Sequence, residues 1–469
     1  MNRLDAIHTE QLKIAQKWAM KKDYDEDRAR QLRKEAILIN HARYLEKIPV
    51  YKKIAKEEGI GEIHNLEPIK KSLMFTDDIF KSYDQSLLDN NDFQGMNEWL
   101  SSIFHERINV DVSGVLTIDE WIDRLASRGI NLCYSSGTSG RFSFVPRCRR
   151  SWELLLTAPI SYMMSYIATL GIAGGIKDLA IRFTVPLFDP FKFVSIARKF
   201  KLSGFDGIFL SFQKGNMGIQ MAAQEFSKTF ENRFFLYDID MSASALRIIT
   251  RGARSEEDRK LAENFYNETI VKSKERYENV IEHIKESTRR GRKIILFGAP
   301  YQFKELLEMV RDKEGSVKLK KGSSLVTGGG WKSFEGVKIE GNVFTTMIRE
   351  VFDVPEKNII DGYSMTEINS VIPRCEHGRY HLPPIIEPVI LDDNFIPMEG
   401  TDIYGRFGFL DPFALSYPGF IITGDNVRYH YGKCDCGMHG SAFSEIGRAP
   451  GREIKGCGGI MTEVASIKA

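Results

Sequence analysis

A run of small hydroxyl residues and glycines ends in an arginine within the first third of the chain. It consists of Ser135, Ser136, Gly137, Thr138, Ser139, Gly140 and Arg141. Glycines let backbone approach a ligand, consecutive N–H groups in a tight turn form a concave anion site, and an arginine fork suits phosphate. Such a run alone could equally be a surface turn. Because a strand is predicted just before it, from Ile130 to Tyr134, the pattern favours a phosphate-binding loop, although the spacing is not that of a P-loop.

A second glycine-rich segment follows another predicted strand. It consists of Gly328, Gly329, Gly330, Trp331 and Lys332. Three glycines in a row offer bare backbone on which a flat ligand such as a purine could lie. Trp331 could stack on that ligand or only pack the turn. Lys332 could reach a carboxylate or a phosphate, or only be exposed to solvent.

A third segment, from Asp361 to Glu367, places an aromatic ring, a hydroxyl and a carboxylate on one turn. Tyr363 can stack on an adenine face, and Thr366 can bond a phosphoryl oxygen. Glu367 can hold Mg²⁺, which prefers one or two carboxylates together with phosphate oxygens. As an isolated pattern this segment is a weak signal.

The elements that must position these segments alternate between strands and helices. Apolar, β-branched or aromatic runs predict the strands, and one of the helical stretches between them extends from Glu256 to Thr288. The predicted strands are 179–185, 207–212, 234–237, 293–297, 324–327 and 358–363. This alternation predicts an α/β fold built on mixed or parallel sheets, in which ligands lie beyond the carboxyl ends of the strands. We expect a helical N-terminal region (1–120), an α/β core (121–430) and a short C-terminal segment (431–469).

The overall composition limits the possible functions. The chain has 469 residues, with 65 Lys and Arg against 63 Asp and Glu, so the net charge of +2 gives no argument for a nucleic-acid or acidic-membrane partner. Six cysteines are too sparse for a disulfide scaffold. The N-terminus lacks an apolar signal segment. Leu154 to Ile176 is uncharged, but Pro159 and a glycine pair interrupt it, which favours a buried helix over a membrane span. We expect a soluble cytoplasmic protein.

Four segments occur in the order found in the adenylate-forming superfamily. The run at 136–140 resembles its Ser-Gly-Thr-Thr-Gly signature, and 362–367 resembles its Gly-Tyr-Gly-x-Thr-Glu motif, with Ser364 in place of the middle glycine. Thr423-Gly424-Asp425 resembles the element whose aspartate accepts hydrogen bonds from the ribose hydroxyls, and Gly447-Arg448 resembles the following glycine–arginine step. The resemblance implies an adenylate-forming fold, ATP and Mg²⁺ as cofactors, and activation of a carboxylic acid.

The end of the sequence resembles the LuxE-type acyl-protein synthetases and their phenylacetate-CoA-ligase-like relatives. Only 21 residues follow Arg448, so we expect the mobile C-terminal lid of the superfamily to be truncated or absent. The late lysine that usually contacts the carboxylate has no obvious counterpart. In the LuxE-type family a cysteine near the C-terminus holds the acyl group as a thioester, and Cys457 stands at the matching position.

The surroundings of Cys457 suit that chemistry. Three glycines flank the thiol, and Arg452 and Lys455 would lower its pKa and raise its thiolate fraction. A thiolate attacking an acyl-adenylate gives a thioester and releases AMP. The alternative is a bystander cysteine in a loose tail.

Two short clusters of soft ligands predict a possible metal site. Cys434 and Cys436 lie in one cluster, and Cys375, His377 and His381 lie in the other. A tetrahedral site of three cysteines and one histidine would suit structural Zn²⁺. The resemblance to phenylacetate-CoA-ligase-like proteins favours His381, with His439 as a further candidate. Free thiols are the alternative.

The sequence therefore predicts an ATP-dependent acyl-protein synthetase acting on a carboxylic acid, most simply a fatty acid. The resemblance also implies an acyl-reductase or acyltransferase partner protein. An acyl- or aryl-CoA ligase is the alternative with a different acceptor, and a nucleotide-binding scaffold without catalysis is the alternative from another class. Oligomeric state, chain length of the acid and the acceptor stay open.

Overall fold

The structure is a computed structural model that describes residues 3–136, 141–169, 189–329 and 341–450. The helices are α1 (Arg3–Ala19), α2 (Glu26–Lys47), α3 (Pro49–Glu57), α4 (Glu67–Ser72), α5 (Gln85–Asp89), α6 (Phe93–Ile103), α7 (Ile118–Ser127), α8 (Arg149–Thr169), α9 (Pro190–Phe200), α10 (Gly218–Ser227), α11 (Ala243–Arg251), α12 (Glu256–Tyr266), α13 (Ser273–Arg289), α14 (Pro300–Glu314) and α15 (Gly341–Phe352).

The strands are β1 (Phe75–Thr76), β2 (Ile130–Ser136), β3 (Phe142–Cys148), β4 (Phe205–Lys214), β5 (Asn232–Asp240), β6 (Lys293–Gly298), β7 (Ser324–Gly328), β8 (Ile359–Tyr363), β9 (Ile372–Pro373), β10 (Tyr380–His381), β11 (Glu387–Leu391), β12 (Asp402–Leu410), β13 (Phe420–Lys433) and β14 (His439–Arg448). The α/β fold class predicted from the sequence is confirmed.

A largely parallel sheet forms the middle of the molecule. Within the described residues its strand order is β5-β4-β6-β7-β8-β9, and only β9 runs antiparallel to its neighbour. Both faces of such a sheet are covered by helices, which explains the nearly continuous apolar runs of β4 and β6. Five predicted strands correspond to β4 to β8. The strand predicted at 179–185 lies outside the described residues.

A second sheet is antiparallel and comes from the last part of the described chain. Its order is β10-β14-β13-β12-β11, with β1 added parallel to β13. The β13–β14 hairpin pairs Asp425 with Arg448 at one end and Lys433 with His439 at the other. The boundary predicted at 430 falls inside β13, and the predicted three-region division stays a prediction.

The serine- and glycine-containing run leaves the two-stranded antiparallel ribbon β2–β3. In the ribbon, Ser135 pairs with Ser143 and Ser136 pairs with Phe142. Helix α7 leads into β2, and it begins with a capping box in which Thr117 and Glu120 satisfy each other's main-chain N–H groups. The strand predicted from Ile130 to Tyr134 is confirmed.

Helices α1 and α2 dock on residues 411–417, which connect β12 to β13. The Nε2 atom of His8 lies 3.0 Å from the carbonyl oxygen of Pro412, and Asn40 Nδ2 donates to the same oxygen at 2.8 Å. Tyr44 donates to the carbonyl of Ala414. The helical N-terminal region is thus packed against the second sheet.

Helix α8 begins at Arg149 and buries Leu154, Ala158, Tyr162 and Tyr166 against the core. The buried helix expected in this segment is confirmed up to Thr169. In the described ranges, no helix is both long and apolar enough to cross a membrane.

The helical stretch predicted from Glu256 to Thr288 is helical over nearly its whole length, but it is not one continuous α-helix. The structure divides it into α12 and α13, with a π-helical turn at Asn267–Val271 between them. A π-turn inserts an extra residue and shifts the helical face. A pattern of charged residues on one solvated face gives no signal for that shift.

Candidate active site and cysteine–histidine cluster

Three predicted ligand-binding residues meet at the carboxyl end of β8. The hydroxyl of Tyr363 donates to Oδ2 of Asp425 at 2.7 Å, and Nη1 of Arg448 lies 2.9 Å from Oδ1 of the same carboxylate. Asp425 and Arg448 face each other across β13 and β14, so the hairpin register fixes this pair. We call Tyr363, Asp425 and Arg448 the Tyr–Asp–Arg cluster.

Tyr363 is held as a neutral phenol in this cluster. Burial, followed by the adjacent Asp425 carboxylate, raises the pKa of Tyr363 well above its ordinary value. Its ring lies near the rings of Tyr380 and Phe407, with centroids 6.4 and 6.3 Å away. The residue as a whole is half-buried, and an aromatic ring of this kind can stack on an adenine.

Thr366 and Glu367 follow on the loop after β8. The Thr366 hydroxyl donates to Oε2 of Glu367 at 2.9 Å, and Glu367 is 3% exposed. Gly218, the first residue of α10, lies against the Thr366 methyl group, which a Cβ at Gly218 would meet at 3.6 Å. The loop therefore lies at the N-terminus of α10.

The same helix N-terminus touches the ribbon from which the serine- and glycine-containing run leaves. The N–H of Tyr134, on β2, donates to the carbonyl of Asn216 at 2.9 Å, and Tyr134 forms a bridge with Met217. The described start of the run and the Thr366 loop thus approach α10 from two directions. Gly137, Thr138, Ser139 and Gly140 lie outside the described residues.

The second glycine-rich segment is described only up to Gly329. Gly328 pairs with Gly362 across β7 and β8, and a Cβ at Gly328 would meet the Gly362 carbonyl at 3.4 Å. Thr327 donates to Asp361 at 2.8 Å, which ties the two strand ends together. Gly329 has a φ of +82°, a conformation that favours glycine. Gly330, Trp331 and Lys332 lie outside the described residues, as does Cys457.

Arg141 is engaged by Tyr83 in this structure. Its Nη2 atom donates to the Tyr83 carbonyl, and its guanidinium carbon lies 5.3 Å from the centroid of the Tyr83 ring. A phosphate contact by Arg141 stays a prediction.

A buried polar group behind the Thr366 loop was not predicted from the sequence. Arg147, Asn369, Asp411 and Tyr417 are all 0% exposed and are hydrogen-bonded to one another. Burial raises the pKa of Asp411, whereas hydrogen bonds from Asn369 and Phe413 and the Arg147 charge oppose that rise. The one available signal was a charged residue, Arg147, in the mostly apolar strand β3.

Cys375, His381, Cys434 and Cys436 converge in one buried group, with their ligand atoms all within 4.8 Å of one another. The Sγ atoms of Cys375 and Cys434 are 4.0 Å apart, and Cys436 Sγ lies 3.4 Å from His381 Nε2. Tetrahedral Zn²⁺ with bonds of about 2.3 Å to sulfur and about 2.0 Å to nitrogen gives a sulfur–sulfur separation of about 3.8 Å and a sulfur–nitrogen separation of about 3.5 Å. The donors therefore suit Zn²⁺ in type, and these two separations lie close to the tetrahedral values.

His439 is directed elsewhere, to the Glu26 carboxylate on α2. This leaves His381 as the nitrogen donor of the cluster. Hydrogen bonds from Cys436 and His381 favour the thiolate of Cys375 and lower its pKa. Lys21 donates to the Cys436 carbonyl at 2.6 Å, so the turn between α1 and α2 covers this cluster.

Comparison with solved structures identifies the fold. The chain resembles a crystal structure of 2-hydroxyisobutyryl-CoA ligase in complex with 2-HIB-AMP and CoA. The TM-score is 0.50 at 12% sequence identity, over 91% of this chain and 74% of that one. The protein thus has the fold of the adenylate-forming ligases.

Sequence comparison identifies the family. The sequence model described as "Acyl-protein synthetase, LuxE" matches residues 210–465. The chain belongs to this family, and the resemblance predicted from its motifs is confirmed.

Two curated relatives are named long-chain-fatty-acid–luciferin-component ligase. The protein from Aliivibrio fischeri is 26% identical over 160 residues, which is 34% of this chain and 42% of the relative. The protein from Vibrio harveyi is 24% identical over 204 residues, which is 43% of this chain and 53% of the relative. The aligned regions thus span about half the length of these relatives.

Proposed function

We propose that the protein uses MgATP to convert a carboxylic acid into an acyl-adenylate and then transfers the acyl group to a cysteine thiol. The observation that supports this most directly is the Tyr–Asp–Arg cluster beside Thr366 and Glu367, at the carboxyl end of a parallel strand. Ligands of open α/β sheets bind at that edge. Membership in the acyl-protein synthetase family supports the same reaction.

Asp425 is well placed to bind a ribose. Each carboxylate oxygen has about two acceptor positions, and Tyr363 and Arg448 occupy one on each oxygen. The second position on each oxygen can accept a ribose hydroxyl without breaking the cluster. The Tyr363 ring would then lie beside the adenine.

In the first step, a carboxylate oxygen of the acid attacks the α-phosphorus of ATP. The bond between that phosphorus and the bridging oxygen breaks, and pyrophosphate leaves. We assign the β- and γ-phosphates to the run at 135–141 and to the N-terminus of α10. Thr366 would donate to a phosphoryl oxygen, and Lys332 would contact the acid or a phosphate.

Glu367 fits the role of the Mg²⁺ ligand. It is a buried carboxylate beside the proposed phosphate position, and Mg²⁺ binds through one or two carboxylates and phosphate oxygens. When bound, the ion would offset the negative charge that develops on the phosphates. In the structure the Thr366 hydroxyl donates to Glu367, and this single proton would turn to the phosphoryl oxygen when ATP binds.

In the second step, the Cys457 thiolate attacks the acyl carbonyl carbon. The bond between that carbon and the phosphate oxygen breaks, AMP leaves, and a thioester forms. The names of the two relatives make a long-chain fatty acid the first substrate to test. An acyl-reductase or acyltransferase protein would take the acyl group from the thioester.

The test is the intact mass of the protein after incubation with MgATP and a panel of fatty and aromatic acids. We expect a hydroxylamine-sensitive acyl adduct that is absent in Cys457→Ser. Cys148→Ser is the matched control, because Cys148 is a half-buried thiol on β3 and should leave the adduct unchanged.

Other outcomes distinguish the alternatives. AMP release without an adduct would indicate that the acyl acceptor is an external thiol such as CoA and not Cys457. The absence of adduct, AMP and pyrophosphate exchange with every acid would contradict enzymatic activation and favour a nucleotide-binding scaffold.

We also propose a structural Zn²⁺ at Cys375, His381, Cys434 and Cys436. The match between the ligand separations and tetrahedral geometry supports it. Metal analysis of the purified protein should find one zinc per chain, retained in Cys133→Ala and lost in Cys436→Ser. A protein purified without chelator that contains no metal would contradict this proposal.

A further inference from the structure

Three main-chain atoms of the Thr366 loop are fixed from behind by buried side chains. Arg147 Nη2 donates to the Thr366 carbonyl at 2.6 Å, and the Tyr417 hydroxyl donates to the Glu367 carbonyl at 3.1 Å. The N–H of Asn369 donates to Asp411 at 2.8 Å. Within four consecutive residues, the orientation of the backbone is therefore set by groups from β3 and from residues 411–417.

These side chains also hold one another. Arg147 Nη2 donates to the Tyr417 hydroxyl oxygen at 3.0 Å, and the guanidinium carbon lies 4.9 Å from the centroid of the Tyr417 ring. Asn369 Nδ2 lies 2.9 Å from both the Tyr417 hydroxyl and Asp411 Oδ2, and Arg147 Nε donates to Asn369 at 3.3 Å. None of them can turn without breaking several hydrogen bonds.

Folding stability alone explains this arrangement poorly. A guanidinium and a carboxylate lose their hydration in the core, and apolar replacements of similar volume are often equally stable. Moreover, Arg147 Nη1 is buried and has no hydrogen-bond partner among the described residues. A buried donor without a partner destabilises the fold, because its lost hydration is not replaced.

The location of Arg147 points to a role at the candidate active site. It lies on β3, the strand that follows the serine- and glycine-containing run, and it binds the carbonyl of the residue whose hydroxyl contacts Glu367. One side chain therefore links the hairpin of the run to the loop of Thr366 and Glu367.

We propose that Arg147, assisted by Tyr417, is a positioning residue that holds Thr366 and Glu367 in the orientation that binding of phosphate and Mg²⁺ requires. This inference rests on the proposed function. Arg147 acts through the Thr366 carbonyl and Tyr417 through the Glu367 carbonyl, so neither touches the substrate. Their effect should be on the reactive geometry more than on nucleotide affinity.

The primary experiment compares Arg147→Met with Arg247→Met by ATP–pyrophosphate exchange and thermal unfolding. Arg247 is the matched control because it is also buried and donates to main-chain carbonyls, those of Leu88 and Asp89, away from the site. We expect Arg147→Met to lower kcat about 100-fold, with the KM for ATP changed by less than about threefold, because misplacement by about 1 Å has that effect. Arg247→Met should change kcat by less than about threefold.

Two further variants keep the test decisive if Arg147→Met folds poorly. Arg147→Lys can still donate to the Thr366 carbonyl, but its compact ammonium does not span the separate positions that the guanidinium Nε and Nη2 reach. We therefore expect its kcat to be about tenfold higher than that of Arg147→Met. Tyr417→Phe removes only the hydroxyl, and we expect it to lower kcat about tenfold, as one lost hydrogen bond of about 1.4 kcal/mol would. In the double variant Tyr417→Phe/Thr366→Val, the fall in kcat should be smaller than the product of the falls in the two single variants, because both act on the same loop.

The inference is overturned if folded Arg147→Met keeps wild-type kcat, or if Arg247→Met loses as much. If the wild-type protein shows no pyrophosphate exchange with any acid, the proposed function is refuted. The positioning role of Arg147 is then tested by a separate measurement of ATP binding with and without Mg²⁺. We expect Mg²⁺ to strengthen ATP binding to the wild type about tenfold, and much less in Arg147→Met, because Glu367 would be misaligned. An equal Mg²⁺ effect on both proteins would refute the positioning role.

Discussion

The two polar clusters at opposite ends of the β13–β14 hairpin differ in the hydrogen bonds that their side chains make and in how far those side chains are exposed. In the Tyr–Asp–Arg cluster, a carboxylate already receives hydrogen bonds from a phenol and a guanidinium, and the Asp425 and Arg448 side chains are 16% and 26% exposed. In the cysteine–histidine cluster, three thiols and an imidazole are buried and face mainly one another.

This difference indicates what each cluster can bind. Partly exposed charged groups with spare acceptor positions can take up and release a ligand at little cost, which is what a turnover site requires. Buried thiols gain most from one ion that stays bound, because a metal satisfies all four donors together. If both proposals hold, the hairpin joins an exchangeable site to a permanent structural one, and we expect the two to respond differently to substitution.

The largest expected effect concerns Glu367, which adjoins the exchangeable site. Glu367→Gln keeps the shape of the side chain and removes its charge, so pyrophosphate exchange should fall about 100- to 1,000-fold. The unfolding temperature should stay equal or rise, since a buried charge is removed. Exchange kinetics and thermal unfolding on the same preparation check both parts. Exchange within threefold of wild type would contradict the assignment.

At the cysteine–histidine cluster we expect the reverse, a loss of stability with little change in pyrophosphate exchange. Cys434→Ser should release the metal and lower the free energy of unfolding by about 3 kcal/mol, because the remaining donors no longer form a closed site. Exchange by the fraction that stays folded should fall less than about threefold. Metal analysis, urea unfolding and exchange assays test this, with Cys133→Ala as control. Unchanged stability of the metal-free variant would remove the distinction between the two clusters.

Asp425→Asn tests the exchangeable character of the Tyr–Asp–Arg cluster directly. The amide keeps one acceptor oxygen but loses the charge that pairs with Arg448. We expect the KM for ATP to rise about tenfold while kcat changes less, because a charge-assisted contact to the ribose is weakened in both the ground and transition states. A fall in kcat without a change in KM would place Asp425 closer to the chemistry.

The smallest effect is expected for Tyr363→Phe, which removes one hydrogen bond and should raise the KM for ATP about threefold. Its clearer signature is in pH. Because burial and Asp425 raise the pKa of Tyr363, the folded protein keeps this proton longer than the unfolded chain does. Its stabilisation is therefore fully present below about pH 10 and is lost as the pH rises further.

Urea unfolding between about pH 9 and pH 11 measures that loss. The wild type should lose up to about 1.4 kcal/mol per pH unit more than Tyr363→Phe in the upper part of this range. Parallel curves for the two proteins would show that Tyr363 ionises with its ordinary pKa.

Local pattern predicted the parallel sheet but not the antiparallel one. Strands β4, β6 and β7 are largely buried on both faces and therefore appear as short apolar runs. Strands β12 to β14 mix buried Phe407 and Val427 with glycines, histidines and arginines, since one face is only partly covered. Such strands lack the periodicity that a single sequence can reveal.

The candidate site divides in the same way. Tyr363, Thr366 and Glu367 lie within five residues, so their types and spacing were enough to single them out. Arg147 and Tyr417 are separated by 270 positions and meet only through tertiary packing. No local signal connects them, and the group behind the loop therefore required the structure.

The docking of α1 and α2 on Pro412 has a consequence for biosynthesis. His8 reaches a carbonyl that is 404 positions away in sequence, and Lys21 reaches one that is 415 positions away. During translation, these helices leave the ribosome long before their partners exist, while domains generally begin to fold from the N-terminal side. The first helices should therefore stay undocked, with their apolar faces exposed to chaperones, until the β12–β14 segment has been synthesised.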